Sequence, residues 1–149
     1  MRKAPLVGFI DNGKIAQINK DFYLFNGYDK SLTCYSDINL LNGTNNKSQK
    51  ASPMIERGNS CGISTYAEEY IFVSGGSGSI KTAEYYSVKN NNWTKAPEMN
   101  DRRWYHSQCT LDDYLYVFFG MSYDGKPNSI EWINARKVIS GIPINWSLI

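Results

Sequence analysis

Residues 70–93 read YIFVSGGSGSIKTAEYYSVKNNNW. Tyr70, Ile71, Phe72 and Val73 form an apolar run that enters Ser74 and the pair Gly75-Gly76. A polar stretch follows, then Tyr85-Tyr86, three asparagines and Trp93. Aromatic and β-branched residues in short runs, bounded by Gly and Asn, favour strands over helices. The apolar run has no polar alternation, so both of its faces should be covered. Glycines at its end suit a backbone that turns with positive φ or passes close to a neighbour.

The same order recurs along the chain. Asp21-Phe22-Tyr23-Leu24-Phe25 leads into Asn26-Gly27, and Tyr114-Leu115-Tyr116-Val117-Phe118 leads into Phe119-Gly120. Gly27, Gly76 and Gly120 are 49 and 44 residues apart. Lys3-Ala4, Lys50-Ala51 and Lys95-Ala96 keep step at intervals of 47 and 45, and Arg57 and Arg103 are 46 apart. Further markers are Tyr35, Tyr86 and Trp132 after the glycines, and Trp93 and Trp146 after those. Several markers at one period of this length point to propeller blades or helix pairs. No segment carries a helical apolar stripe of useful length, so strands are expected.

The order of apolar run, Gly-Gly, Tyr, Trp, Pro-x-Met and Arg resembles the kelch repeat. The likeness spans the chain as one region, 1–149, in three units of about 6–53, 54–98 and 99–149. It implies an all-β fold of about three four-stranded antiparallel blades. Strand A is expected at 14–18, 59–66 and 107–111, and strand B at 22–26, 70–74 and 114–119. Strand C is expected at 33–36, 82–88 and 129–133, and strand D at 47–51, 92–96 and 145–148. Residues 40–47 and 136–143 read as insertions between strands C and D. Gly27, Gly75, Gly76, Gly120, Tyr35, Tyr86, Trp93, Trp132 and Trp146 are read as structural markers. Three blades fall short of the about four to eight that close a propeller. The chain is therefore expected to be a slice of a longer array, to pair into a ring with itself, or to be covered by other chains.

Totals narrow the function. A length of 149 residues suits one domain, and a hydrophobic share of 42% can supply its core. A net charge of +2 gives no electrostatic case for nucleic acid or membrane. No apolar run approaches a membrane span, and the start lacks a secretory signal, which leads to a cytoplasmic expectation. Cys34, Cys61 and Cys109 are odd in number and without CxxC spacing. With His106 the only histidine, no metal or cofactor is expected. Copper-oxidase propellers need several histidines, and no sialidase-type Asp-box is found. A Ser-His-Asp reading would rest on His106 alone, at a position where kelch-like repeats place a structural histidine.

The resemblance implies a non-catalytic protein-interaction module, of scaffold, cytoskeletal or substrate-adaptor type, with loops on one face binding a partner. Arg57, Arg102 and Arg103 are expected to meet acidic side chains of a peptide, since guanidinium pairs bidentately with carboxylate. Tyr28, Tyr105 and Tyr123 are expected as aromatic contacts. The competing readings are an enzyme acting on a sugar or small molecule in the propeller's central well, and an inactive partial propeller.

Overall fold

The computed structural model describes residues 13–25, 38–45, 48–56, 59–77, 81–123 and 128–149. They form three four-stranded antiparallel sheets, each a simple meander. The first sheet comprises β1 (Lys14–Ile18), β2 (Asp21–Phe25), β3 (Ile38–Asn42) and β4 (Ser48–Ala51). The second comprises β5 (Gly62–Tyr66), β6 (Tyr70–Ser74), β7 (Ala83–Ser87) and β8 (Asn92–Ala96). The third comprises β9 (Ser107–Leu111), β10 (Tyr114–Phe118), β11 (Ile130–Asn134) and β12 (Ser147–Leu148), with a short helix α1 (Ala135–Ile139) between its last two strands. The chain is all-β in blades, as the repeat predicts. Among the described residues no helix is long and apolar enough to cross a membrane.

The sheets stand side by side. Strand β5 lies against both β1 and β9, so the first strands of successive sheets are neighbours, as inner strands of a propeller are. Two apolar clusters fill the gaps. Ala16, Ile18, Tyr23 and Phe25 of the first sheet meet Cys61, Ile71, Val73 and Tyr86 of the second. Phe72 and Ala83 of the second meet Leu115, Val117 and Ile133 of the third. Successive residues of β6 thus serve opposite clusters. That is the period-two geometry of a strand covered on both faces.

The tryptophans join one sheet to the next by the same bond twice. Trp93 Nε1 donates to the Ser52 carbonyl at 2.9 Å, and Trp146 Nε1 to the Pro97 carbonyl at 2.8 Å. Each indole is buried in a cluster between sheets while its one polar group is satisfied. The glycines answer to crowding. Gly75 has φ +59, and a Cβ on it would lie 2.4 Å from the Arg103 carbonyl oxygen of the next sheet. Gly120 has φ +105, with Trp104 O and His106 Cβ both inside 3.0 Å of an added Cβ.

The structure corrects the repeat alignment in three places. First, the third strand of the first sheet is Ile38–Asn42, inside part of the expected insertion, and pairs in register with Asp21–Phe25. Its Asn42 side chain accepts from the backbone of Thr44 and Asn45, which turns the chain and ends the strand. Residues 33–36, including Tyr35, and Gly27 lie outside the described residues. Second, Ile133 stands opposite Leu115 where Tyr86 stands opposite Ile71, so Trp132 takes the place of Tyr85 and not of Tyr86. Third, the first half of the insertion 136–143 belongs to α1. The Asn134 side chain accepts from Lys137 N to cap it, and its Ala135 and Val138 are buried in the second cluster.

Candidate functional site

The chain leaving β8 forms a loop, residues 97–106, held from below at every turn. Met99 is buried in the second cluster. The buried Glu131 carboxylate on β11 accepts from the backbone of Asn100 at 2.6 Å and of Asp101 at 3.0 Å. Asn100 Nδ2 bridges Glu131 and the Trp146 carbonyl. Arg103 is fully buried. Its Nη1 donates to the Phe119 and Ser129 carbonyls, and its Nη2 to Ser129 Oγ and, at 2.6 Å, to Glu131. Ser129 Oγ in turn donates to Asp101. A buried ion pair is tolerable only when its remaining bonds are satisfied, and here nearly all are.

The second sheet repeats the device. Glu84, at the same register position as Glu131, accepts from the backbone of Ile55 and Glu56. Burial pushes its carboxyl up to about 7, against the opposing pull of those two N–H groups. Neither glutamate was singled out by the sequence reading. The available signal was their shared place, two residues after Thr82 and Ser129, in the strand that follows each glycine turn.

With its backbone clamped, the loop turns other side chains outward. Arg102 is exposed, and among the described residues no carboxylate is paired with it. Tyr105 is 59% exposed on a left-handed backbone, φ 52, and its N–H is held by the Ser60 carbonyl. Trp104 exchanges both backbone hydrogen bonds with Met121, and its ring lies 4.7 Å from that of Tyr123. Phe119, Met121 and Tyr123 are all exposed. The loop after β8 and the loop after β10 are therefore joined through Trp104, Met121 and Tyr123, and both turn side chains to solvent.

Of the residues expected to contact a partner, Arg102, Tyr105 and Tyr123 are exposed on these two loops. Arg57 and Tyr28 lie outside the described residues. Arg103 is different: its guanidinium is consumed inside the sheet, so it shapes the loop and presents no charge to solvent. Trp104 and Met121, which lie in loops 99–105 and 121–128 of the expected binding face, and Phe119 are exposed or half-buried there without having been expected as contacts. Phe119 stands at the first-glycine position with φ 55, a conformation that costs a side-chain-bearing residue about 1–2 kcal/mol.

His106 sits between the second and third sheets, 4% exposed, with Nε2 3.0 Å from Ser74 Oγ. Ser74 donates to Gln108, and Gln108 reaches Ser64 and the Phe72 carbonyl. This is a polar seam along adjacent inner strands. Both Ser74 and His106 are buried, and among the described residues His106 Nδ1 has no partner and no carboxylate orients the ring as a hydrolytic triad requires. Burial first, then the charges of Arg103 and Lys14, push its pKa down to about 3.

A pH dependence follows. His106 stays neutral when folded but takes a proton near pH 6.5 when unfolded, so its contribution is complete above about 6.5 and is lost as pH falls toward about 3. The expected loss is on the order of 4 kcal/mol over that window. Glu84 acts oppositely, its contribution being present below about 4.5 and lost as pH rises through about 7. Denaturation of wild type, His106→Asn and Glu84→Gln across pH 3–8 checks both: the first variant should flatten the acid-side fall, the second the rise toward acid below neutrality.

Residues 64–100 match the family described as the kelch motif. No curated protein matches the chain. The match runs from within β5 through β8 to the start of the clamped loop, in the sheet with the fullest marker set. Strand order, the tryptophan bond and the buried glutamate recur in the third sheet, and the strand order recurs in the first. The middle sheet carries the likeness to the kelch motif, and the three sheets share its four-stranded meander order.

Proposed function

We propose that the chain is a protein-interaction module whose surface of Arg102, Trp104, Tyr105, Phe119, Met121 and Tyr123 receives an acidic segment of a partner protein. The observation that carries this reading is the division of labour between neighbouring arginines. Arg103 is paired with Glu131 within the sheet, while Arg102 stands exposed in the same loop as Trp104 and Tyr105. Aromatic side chains and arginine are what binding hot spots favour, and a loop held by a rigid scaffold loses little entropy on binding. A role as scaffold or substrate adaptor fits such a surface, and the exposed Cys109 thiol fits a reducing, cytoplasmic setting.

Arg102→Glu and Tyr105→Ala leave the clamp intact and should fold as wild type. Cross-linked partners recovered with wild type should be lost with either variant, with affinity down at least about tenfold and wild-type binding weakening as salt rises. Folded variants that keep every partner at wild-type affinity would overturn the proposal.

A further inference from the structure

Strand β3 ends in a turn that reads Asn42-Gly43-Thr44-Asn45. An asparagine followed by glycine carries a reaction within itself. The glycine amide nitrogen, with no Cβ beside it, can add to the carboxamide carbon of the preceding side chain. Both residue types are imposed here by the fold. A Cβ at residue 43 would overlap the Lys20 carbonyl oxygen, in the turn between β1 and β2, so only glycine fits. Asn42 ends the strand because its side chain accepts from the Thr44 N–H at 3.0 Å and the Asn45 N–H at 3.1 Å. Since both partners are donors, the atom facing them is Oδ1.

The contacts that shape the turn also suit the reaction. Oδ1 is the atom that gains negative charge when the carboxamide carbon becomes tetrahedral, and two backbone N–H groups aimed at such an oxygen stabilise that charge. The attacking nitrogen has a base beside it. The Gly43 N–H donates to Asp21 Oδ1 at 3.3 Å, and Asp21 stands opposite Asn42 in the register of β2 and β3. Gly43 and Thr44 are exposed, so water reaches the site. We infer that Asn42 is a self-modification site that converts, within the folded chain, to aspartate and isoaspartate. The Gly43 nitrogen gives its proton to Asp21 and bonds to Asn42 Cγ. The bond from Cγ to the side-chain nitrogen breaks, and ammonia leaves with that proton. The cyclic imide then takes up one water. Opening at one carbonyl gives aspartate and at the other isoaspartate, with no net oxidation or reduction. Either product sets a second carboxylate opposite Asp21, and like charges directly opposite weaken a strand pair. The inference is independent of the loop surface, which belongs to the second and third sheets.

Timed incubation of the full chain at neutral pH tests it, with tandem mass spectrometry of the peptide that holds Asn42. Isoaspartate is counted separately, by transfer of a labelled methyl group from an isoaspartyl methyltransferase. The native chain should accumulate both products at Asn42 at least as fast as the same chain unfolded in urea. Asp21→Asn, checked for folding by circular dichroism, should slow the native reaction by about tenfold or more and leave the rate in urea unchanged. If that variant does not fold, the native and unfolded wild-type rates decide alone: a native rate equal or higher supports the inference, and a lower one overturns it. Asn42 kept intact in the native chain while the unfolded chain reacts would overturn it, as would a folded Asp21→Asn reacting at the wild-type rate.

Discussion

Replacing Arg103 with methionine is expected to lower the unfolding free energy by about 3–5 kcal/mol. Glu131 would lose its 2.6 Å partner while remaining fully buried. The carbonyls of Phe119 and Ser129 would lose a donor as well. A carboxylate left in a dry site costs more than the pair gained by forming, so removing one member is worse than never having had either. The control is its neighbour: Arg102→Met should fall within about 0.5 kcal/mol of wild type, as an exposed substitution does. Urea titration of both variants checks the contrast. Equal stability of the two would mean that Arg103 is not inside the sheet.

The second large effect belongs to Trp146. Trp146→Ala should cost about 3–5 kcal/mol, since it empties a buried indole site and leaves the Pro97 carbonyl without its donor. Trp132→Ala should cost the single folded chain much less. Its ring is only half-buried, on the outer face of the third sheet, edge-on to Tyr114. Thermal unfolding of the two variants separates them. The comparison is pointed because the sequence marks both tryptophans as repeat positions, and only the structure assigns one to a contact between sheets and the other to an outer face.

Much of the fold was legible because its physical requirements are local. A strand covered on both faces must be apolar throughout, and a glycine lying against the next sheet's backbone cannot be replaced cheaply. Nine strands fall where expected, β1, β6, β8 and β9 at the same bounds and β2, β4, β7, β10 and β11 within one residue at each end. The first sheet's third strand was misplaced because its place in the repeat was judged by an aromatic, Tyr35, whereas the sheet selects Ile38–Asn42 by pairing with β2. Pairing is a non-local property, and one sequence does not display it. The same limit applies to the loop. Arg102 and Arg103 are adjacent and chemically alike, but a carboxylate 28 residues away decides which one is consumed. Glu131 and Glu84 escaped notice because acidic residues in strands read as solvent-facing, and only the fold shows that they cap loop backbones.

The account rests on three sheets packed side by side and joined by backbone hydrogen bonds from one to the next. Scalar coupling across hydrogen bonds, measured by NMR on labelled protein, detects those bonds directly. Couplings are predicted from Gly76 N to the Arg103 carbonyl and from Tyr105 N to the Ser60 carbonyl, each at 2.9 Å. Slow exchange of the Trp93 indole N–H, held by Ser52, should accompany them. Absence of both couplings, with Gly76 and Tyr105 amides exchanging as freely as in an unfolded chain, would contradict the arrangement.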